Sequence, residues 1–112
     1  MPKTAMSRET RERACLLFLA LSNPTRVRIV ELLFDGERTV GEVAEEVGIG
    51  QSGASQHLAL LARAGLLKCS ARGTSRVYRI RGPRIEKIVG LIQEFCEVHG
   101  LYGDAGLDEE GL

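Results

Sequence analysis

The stretch Ile49–Gly65, IGQSGASQHLALLARAG, decides how this chain folds. It opens on small and amide residues (Gly50, Gln51, Ser52, Gly53, Ala54, Ser55, Gln56 and His57). It continues as a leucine-rich run through Leu58, Leu60 and Leu61 and stops at Gly65, a residue suited to the left-handed turn that ends a helix. A helix of this composition carries short hydrogen-bonding side chains at one end and an apolar face along its length. The major groove of DNA requires that combination, because the backbone must approach closely while amides, hydroxyls and imidazole reach base edges.

Working outward, Thr39-Val40-Gly41-Glu42 fits a capping box and predicts a short helix over Val40–Val47, ended by Gly48. Val43, Ala44 and Val47 face inward in this reading and Glu42, Glu45 and Glu46 outward. Two helices joined by the tight turn Gly48–Gly50 make a helix-turn-helix. On the other side, Leu66–Ser70 and Arg76–Ile80 read as two strands with Ala71–Ser75 as the turn around Gly73, the wing of a winged helix-turn-helix. Asn23-Pro24 is a helix start, and the helix it opens runs to about Phe34 and buries Val27, Val30, Leu33 and Phe34. A first helix spans Ser7–Leu21, with Ala14, Leu17, Phe18 and Leu21 on one apolar face and Cys15, Leu16 and Leu19 on a second. Pro83 opens a last helix with an apolar stripe at Ile85, Ile88, Val89, Ile92, Phe95 and Cys96, ending near His99. The fold expected is mainly α with a small β-hairpin, α-α-α-α-β-β-α. Residues 1–99 form a DNA-binding and dimerisation domain, and residues 100–112 an acidic tail expected to be disordered.

Composition sets bounds on this reading. The 112 residues suit one domain of modest core, for which association would help stability. Basic and acidic residues balance at 15 each, but they are segregated: between Glu46 and Glu86 there is no acid, against seven bases, Arg63, Lys68, Arg72, Arg76, Arg79, Arg81 and Arg84. Such a local basic face matters more for phosphate contact than the mean charge does. No apolar run approaches the roughly 18 residues of a membrane span, and no signal-peptide pattern opens the chain, so a cytoplasmic location is expected. Three separated cysteines (Cys15, Cys69 and Cys96) make no disulfide framework.

The residues expected to touch DNA are Gln51, Ser52, Ser55, Gln56 and His57 on the recognition helix and Arg72 and Arg76 at the hairpin tip. The wing arginines have no acids near them in sequence, which favours phosphate or minor-groove contact over an ordinary solvated charge run. Gly50-Gln51-Ser52-Gly53-Ala54 approaches a nucleophile elbow, but no strand precedes it and Ala54 takes the last glycine's place, so no enzyme is read from it. Cys69 is read as structural or incidental. Cys15 and Cys96 lie on or beside apolar stripes, where core filling and function weigh about equally. Cys96 and His99 share a helical face, and a thiol beside an imidazole is a candidate for activation or for soft-metal ligation.

Ala20-Leu21-Ser22-Asn23-Pro24-Thr25-Arg26, Gly41-Glu42-Val43-Ala44, Gln51–Leu58, Leu61–Leu67 and the wing end Val77-Tyr78-Arg79-Ile80 together resemble the ArsR family of bacterial repressors. The resemblance implies a homodimer built on the first and last helices, bound to a palindromic operator and released by a metal, metalloid or thiol-reactive signal. It implies no particular sensor, because this chain departs from the family there. No thiol lies in Val40–Val47, and the last helix lacks the histidine pattern of a zinc site. Of the cysteine pair used in sulfur sensing, the late position falls at Cys96, while Glu31 occupies the early one. Cys15 is the nearest substitute, so the expected effector residues are Cys96, Cys15 and His99. The cofactor is either none or a soft metal or metalloid ion such as arsenite on those thiolates. The alternative is a winged-helix regulator without metal or thiol sensing, controlled by a protein partner or by concentration.

Overall fold

The computed structural model describes residues 5–99, with the side chain of residue 99 outside the description. The chain divides into two compact units at Gly82/Pro83. The first holds α1 (Arg8–Ala20), α2 (Pro24–Leu33), β1 (Arg38–Thr39), α3 (Val40–Val47), α4 (Gln51–Arg63), β2 (Leu67–Arg72) and β3 (Ser75–Ile80). The second holds α5 (Pro83–His99).

The helix starts are set by local hydrogen bonds that the sequence encodes. Ser7 Oγ accepts from the Thr10 amide at 3.1 Å and opens α1. Asn23 Oδ1 accepts from the Arg26 amide at 3.1 Å and opens α2, with Pro24 in its first turn. At α3 the box closes in both directions: the Glu42 amide donates to Thr39 Oγ1 at 3.1 Å and the Thr39 amide donates to Glu42 Oε1 at 2.8 Å. That second bond, together with Arg38 nearby, holds the Glu42 carboxyl below its ordinary pKa. Gly48 ends α3 at φ 80°, a conformation that costs glycine nothing.

Thr39→Ala is therefore expected to destabilise the fold by about 1 kcal/mol, since it leaves the Glu42 amide without its acceptor. The pH dependence carries the sign of a lowered carboxylate pKa. Folding favours ionised Glu42, so its contribution is present above the ordinary glutamate pKa and is lost as pH falls through the lower folded value. Urea denaturation of wild type and Thr39→Ala at neutral and acid pH checks both statements; the variant keeps the Thr39 amide that binds Glu42, so both proteins should lose stability as pH falls.

The sheet has three antiparallel strands in the order β1-β3-β2. β3 is central: Arg38 and Thr39 pair with Tyr78 and Val77, and β2 pairs with β3 from Leu67↔Ile80 to Arg72↔Ser75. The helical and hairpin elements stand in the order expected from sequence, with β1 as an addition. The hairpin is also longer and its turn tighter than Ala71–Ser75, because the ladder continues to Arg72↔Ser75 and leaves a two-residue loop with Gly73 at φ 63°.

The core of the first unit comprises Ala20, Ile29, Val30, Leu33, Val43, Ala44, Ala54, Leu58, Leu61, Leu66, Leu67, Val77 and Tyr78. Ile29, missing from the sequence-based core, is completely buried, whereas Val27 and Phe34 are half-buried. Phe18, on the first apolar face of α1, is 64 % exposed, and Leu19, on the second, is 54 % exposed. In α5, Ile85 and Val89 are buried, while Ile88, Leu91, Ile92, Phe95 and Val98 are exposed. Cys15 and Cys96 are exposed as well, so neither is packed in the core within this chain.

Candidate nucleic-acid interface

α4 presents two faces of opposite character. Ala54, Leu58 and Leu61 are completely buried, and the helix packs by that side on α1, α2, α3 and β2. Gln51, Ser52, Ser55 and Gln56 are exposed and share the opposite face, as their i, i+4 spacing requires. The N-cap is Gly50, which offers no side-chain acceptor to the first-turn amides. The start of the helix thus directs free N–H groups and the positive end of its dipole outward, an arrangement that favours phosphate. Gly41 of α3 sits beneath this end: a Cβ there would stand 3.2 Å from Gln51 Nε2. The bare glycine lets the Gln51 amide lie across α3 at the turn of the motif.

His57 is half-buried, and its Nδ1 lies 3.4 Å from an Arg26 guanidinium nitrogen. A guanidinium only donates, so Nδ1 accepts and the ring proton sits on Nε2. Arg26 is itself fixed by donation from Nε to the Ala20 carbonyl at 2.8 Å and from a terminal nitrogen to the Leu19 carbonyl at 3.0 Å. These carbonyls belong to the last turn of α1, where positive charge is favoured. Arg26 therefore connects the end of α1 to the recognition helix. Sequence reading quoted this residue only within a motif and assigned it no role; the signal present there was an arginine three residues after a helix N-cap, next to another helix's end.

The wing differs from expectation in one respect. Arg72 and Arg76 are both exposed on the hairpin, but Arg72 pairs with Glu37 Oε1 at 2.8 Å. The acid-free window around Arg72 is a property of the sequence and not of its surroundings, since the segment before β1 returns to the hairpin. The pair is exposed and contributes roughly 0–1 kcal/mol, which a phosphate can replace. Arg76 has no ion pair among the described residues. Cys69 lies opposite Tyr78 in the ladder and is exposed. Burial, and after it Cys69, pushes the Tyr78 phenol above its ordinary pKa.

Of the expected effector residues, Cys15 lies on α1 in the first unit and Cys96 on α5 in the second. The side chain of His99 is outside the described residues. Among those residues, no group of three or more His, Cys, Asp or Glu is arranged to hold a metal ion. No described helix is long and apolar enough to cross a membrane.

Residues 23–68, from the N-cap of α2 to the start of β2, match the model of the bacterial regulatory protein arsR family. An uncharacterised HTH-type transcriptional regulator of Mycobacterium tuberculosis is 36 % identical over 78 residues, covering 69 % of this chain and 68 % of that protein. A probable mercury resistance operon repressor of Streptomyces lividans is 35 % identical over 74 residues, 66 % of this chain and 59 % of the relative. Among solved structures, the homodimeric winged helix-turn-helix DNA-binding domain of a possible ArsR-family regulator from Mycobacterium bovis superposes with a TM-score of 0.75. It is 28 % identical, covering 90 % of this chain and 95 % of that domain. The relatives are regulators of transcription, and the chain belongs to the arsR family of winged helix-turn-helix transcriptional regulators.

Proposed function

We propose that this chain is a homodimeric repressor that holds a palindromic operator through α4 and the wing and is released by a thiol-reactive signal at Cys96. The observation that carries the DNA half is the exposed polar face of Gln51, Ser52, Ser55 and Gln56 above a buried Ala54, Leu58 and Leu61. Gln56 reads a base edge, His57 offers its Nε2 proton to a base or phosphate, and Arg72 and Arg76 anchor the hairpin on the backbone. The work of such a protein lies in the cytoplasm, beside the chromosome.

Dimerisation is supported by apolar residues left exposed on α1 (Phe18 and Leu19) and on α5 (Ile88, Leu91, Ile92 and Val98). It is supported also by the homodimeric Mycobacterium bovis neighbour. One recognition helix contacts too few bases for useful selectivity, whereas two reach successive major grooves about 34 Å apart. The thiol half rests on the exposure of Cys96 and Cys15 and on the mercury-linked relative. A persulfide oxidant would join two such thiols: its S–S bond breaks, one disulfide forms, and a thiol and hydrogen sulfide leave with the protons. A bond near a dimer interface changes the spacing of the two reading helices, and a coupling of about 1–3 kcal/mol is enough to release DNA.

Two measurements test this reading. Gln56→Ala should weaken operator binding at least tenfold, about 1.4 kcal/mol, while non-specific binding stays nearly constant; Arg76→Ala should weaken both and flatten the salt dependence. An equal loss for all sequences on Gln56→Ala would remove the recognition assignment. Sedimentation should show a dimer at micromolar concentration, and operator binding by wild type, Cys15→Ser, Cys69→Ser and Cys96→Ser is then compared with and without arsenite and a persulfide donor. If Cys96→Ser is released like wild type by each reagent, the sensor assignment fails. The protein is then a regulator controlled by a partner or by concentration.

A further inference from the structure

A second basic feature lies at the opposite end of α4. A cavity of about 430 Å³ is lined by Arg13 and Leu16 of α1, by Arg63, Ala64 and Gly65 at the end of α4, and by Arg81 just beyond β3. Arg8, Arg38 and Arg72 each sit beside a carboxylate, but Arg13, Arg63 and Arg81 have no ion pair among the described residues. Among the described residues, no acid lines the cavity. Three arginines lining one hollow put an excess of positive charge there, which an anion in the hollow would balance. Their planar forks match the oxygens of a phosphate or carboxylate two at a time. The hollow has the size of a small-molecule site, and Leu16 and Ala64 give it an apolar wall.

The position argues against operator DNA as the occupant. α4 has 13 residues, so its end lies about 18 Å from the polar start that reads bases. The base of the hairpin, where the Arg81 amide donates to the Leu66 carbonyl at 3.0 Å, is separated from the Gly73 tip by the whole six-residue ladder, roughly 20 Å. A DNA phosphodiester also brings a single charge to each contact, whereas three arginines lining one hollow suit a group carrying two.

We propose that this cavity binds a small organic dianion, a phosphomonoester or a short dicarboxylate, with its apolar body against Leu16 and Ala64. Such a ligand ties α1 to the end of α4 and to the root of the wing, which are the elements that fix the reading head.

The test uses the full chain without DNA at low ionic strength, so that it stands apart from the operator reading. Isothermal calorimetry with phenyl phosphate, inorganic phosphate and glutarate is the primary measurement, with benzyl alcohol as neutral control. At least one dianion should bind saturably with a Kd below about 1 mM, while benzyl alcohol gives no heat. Phenyl phosphate over glutarate identifies a phosphate ligand, and the reverse a dicarboxylate; either supports the site. Arg63→Ala and Arg81→Ala should each weaken binding at least tenfold, and Arg63→Lys should restore only part of it, because lysine lacks the fork. Without ligand, Arg81→Ala should keep a thermal midpoint near that of wild type, whereas Arg63→Ala, in the last turn of α4, should lower it slightly. No saturable binding by any probe, or binding unaffected in Arg13→Ala/Arg63→Ala/Arg81→Ala, overturns the proposal. So does a triple variant whose only change is a flatter salt dependence on non-specific DNA, which would assign the arginines to the phosphodiester backbone.

Discussion

Leu58→Ala should cost about 2–5 kcal/mol of folding free energy. Leu58 is completely buried at the middle of α4, the helix that packs on α1, α2, α3 and β2. Cutting its side chain back to a methyl opens a hole in the buried face of that helix. The loss comprises both the transfer energy of the lost carbons and the contacts of an unfilled cavity. Stability of small domains is itself only about 5–15 kcal/mol, so a visible unfolded fraction at moderate temperature is expected. Urea denaturation checks it, with Ala59→Ser as companion: position 59 is exposed on the same helix and should change stability by less than about 0.5 kcal/mol. A loss below about 1 kcal/mol for Leu58→Ala would mean that α4 is not the centre of the core.

The features legible in the sequence are those that local chemistry dictates. Ser7, Asn23 and Thr39 cap helices because short oxygen-bearing side chains satisfy amides two or three residues on, a relation that needs no tertiary knowledge. The helix-turn-helix followed from a capping box, Gly48 and an amphipathic α4 in succession. Features that depend on distant parts of the chain were not legible. β1 has two residues and exists only because β3 offers an edge to Arg38 and Thr39. Glu37 neutralises Arg72 across 35 positions of sequence for the same reason. Periodicity put Phe18 on an apolar face of α1, but it reports only that a face is apolar and not whether this chain or another surface covers it. The candidate site divides in the same way. The polar face of α4 was readable from residue types, whereas the support that Arg26 gives His57 required the end of α1 to be brought beside both.

That support sets the second large expectation: Arg26→Ala should destabilise the fold by about 1.5–3 kcal/mol, and Arg26→Lys should recover little of it. One guanidinium serves three acceptors on two helices, the Ala20 carbonyl at 2.8 Å, the Leu19 carbonyl at 3.0 Å and His57 Nδ1 at 3.4 Å. Ala20 is completely buried, so its carbonyl gains no easy substitute in water when the arginine is removed. An ammonium group has the charge but not the fork, and it cannot span α1 and α4 at once. The loss should extend to DNA binding, because a His57 released from Arg26 is free to rotate its Nε2 proton away from the groove. A double-mutant cycle over Arg26→Ala and His57→Ala, read as operator affinity under conditions where every variant is folded, separates the two effects. If Arg26 acts through His57, the double variant binds about as well as His57→Ala alone. If the two losses add fully, the histidine is not positioned by Arg26, and Arg26 serves only to close the end of α1.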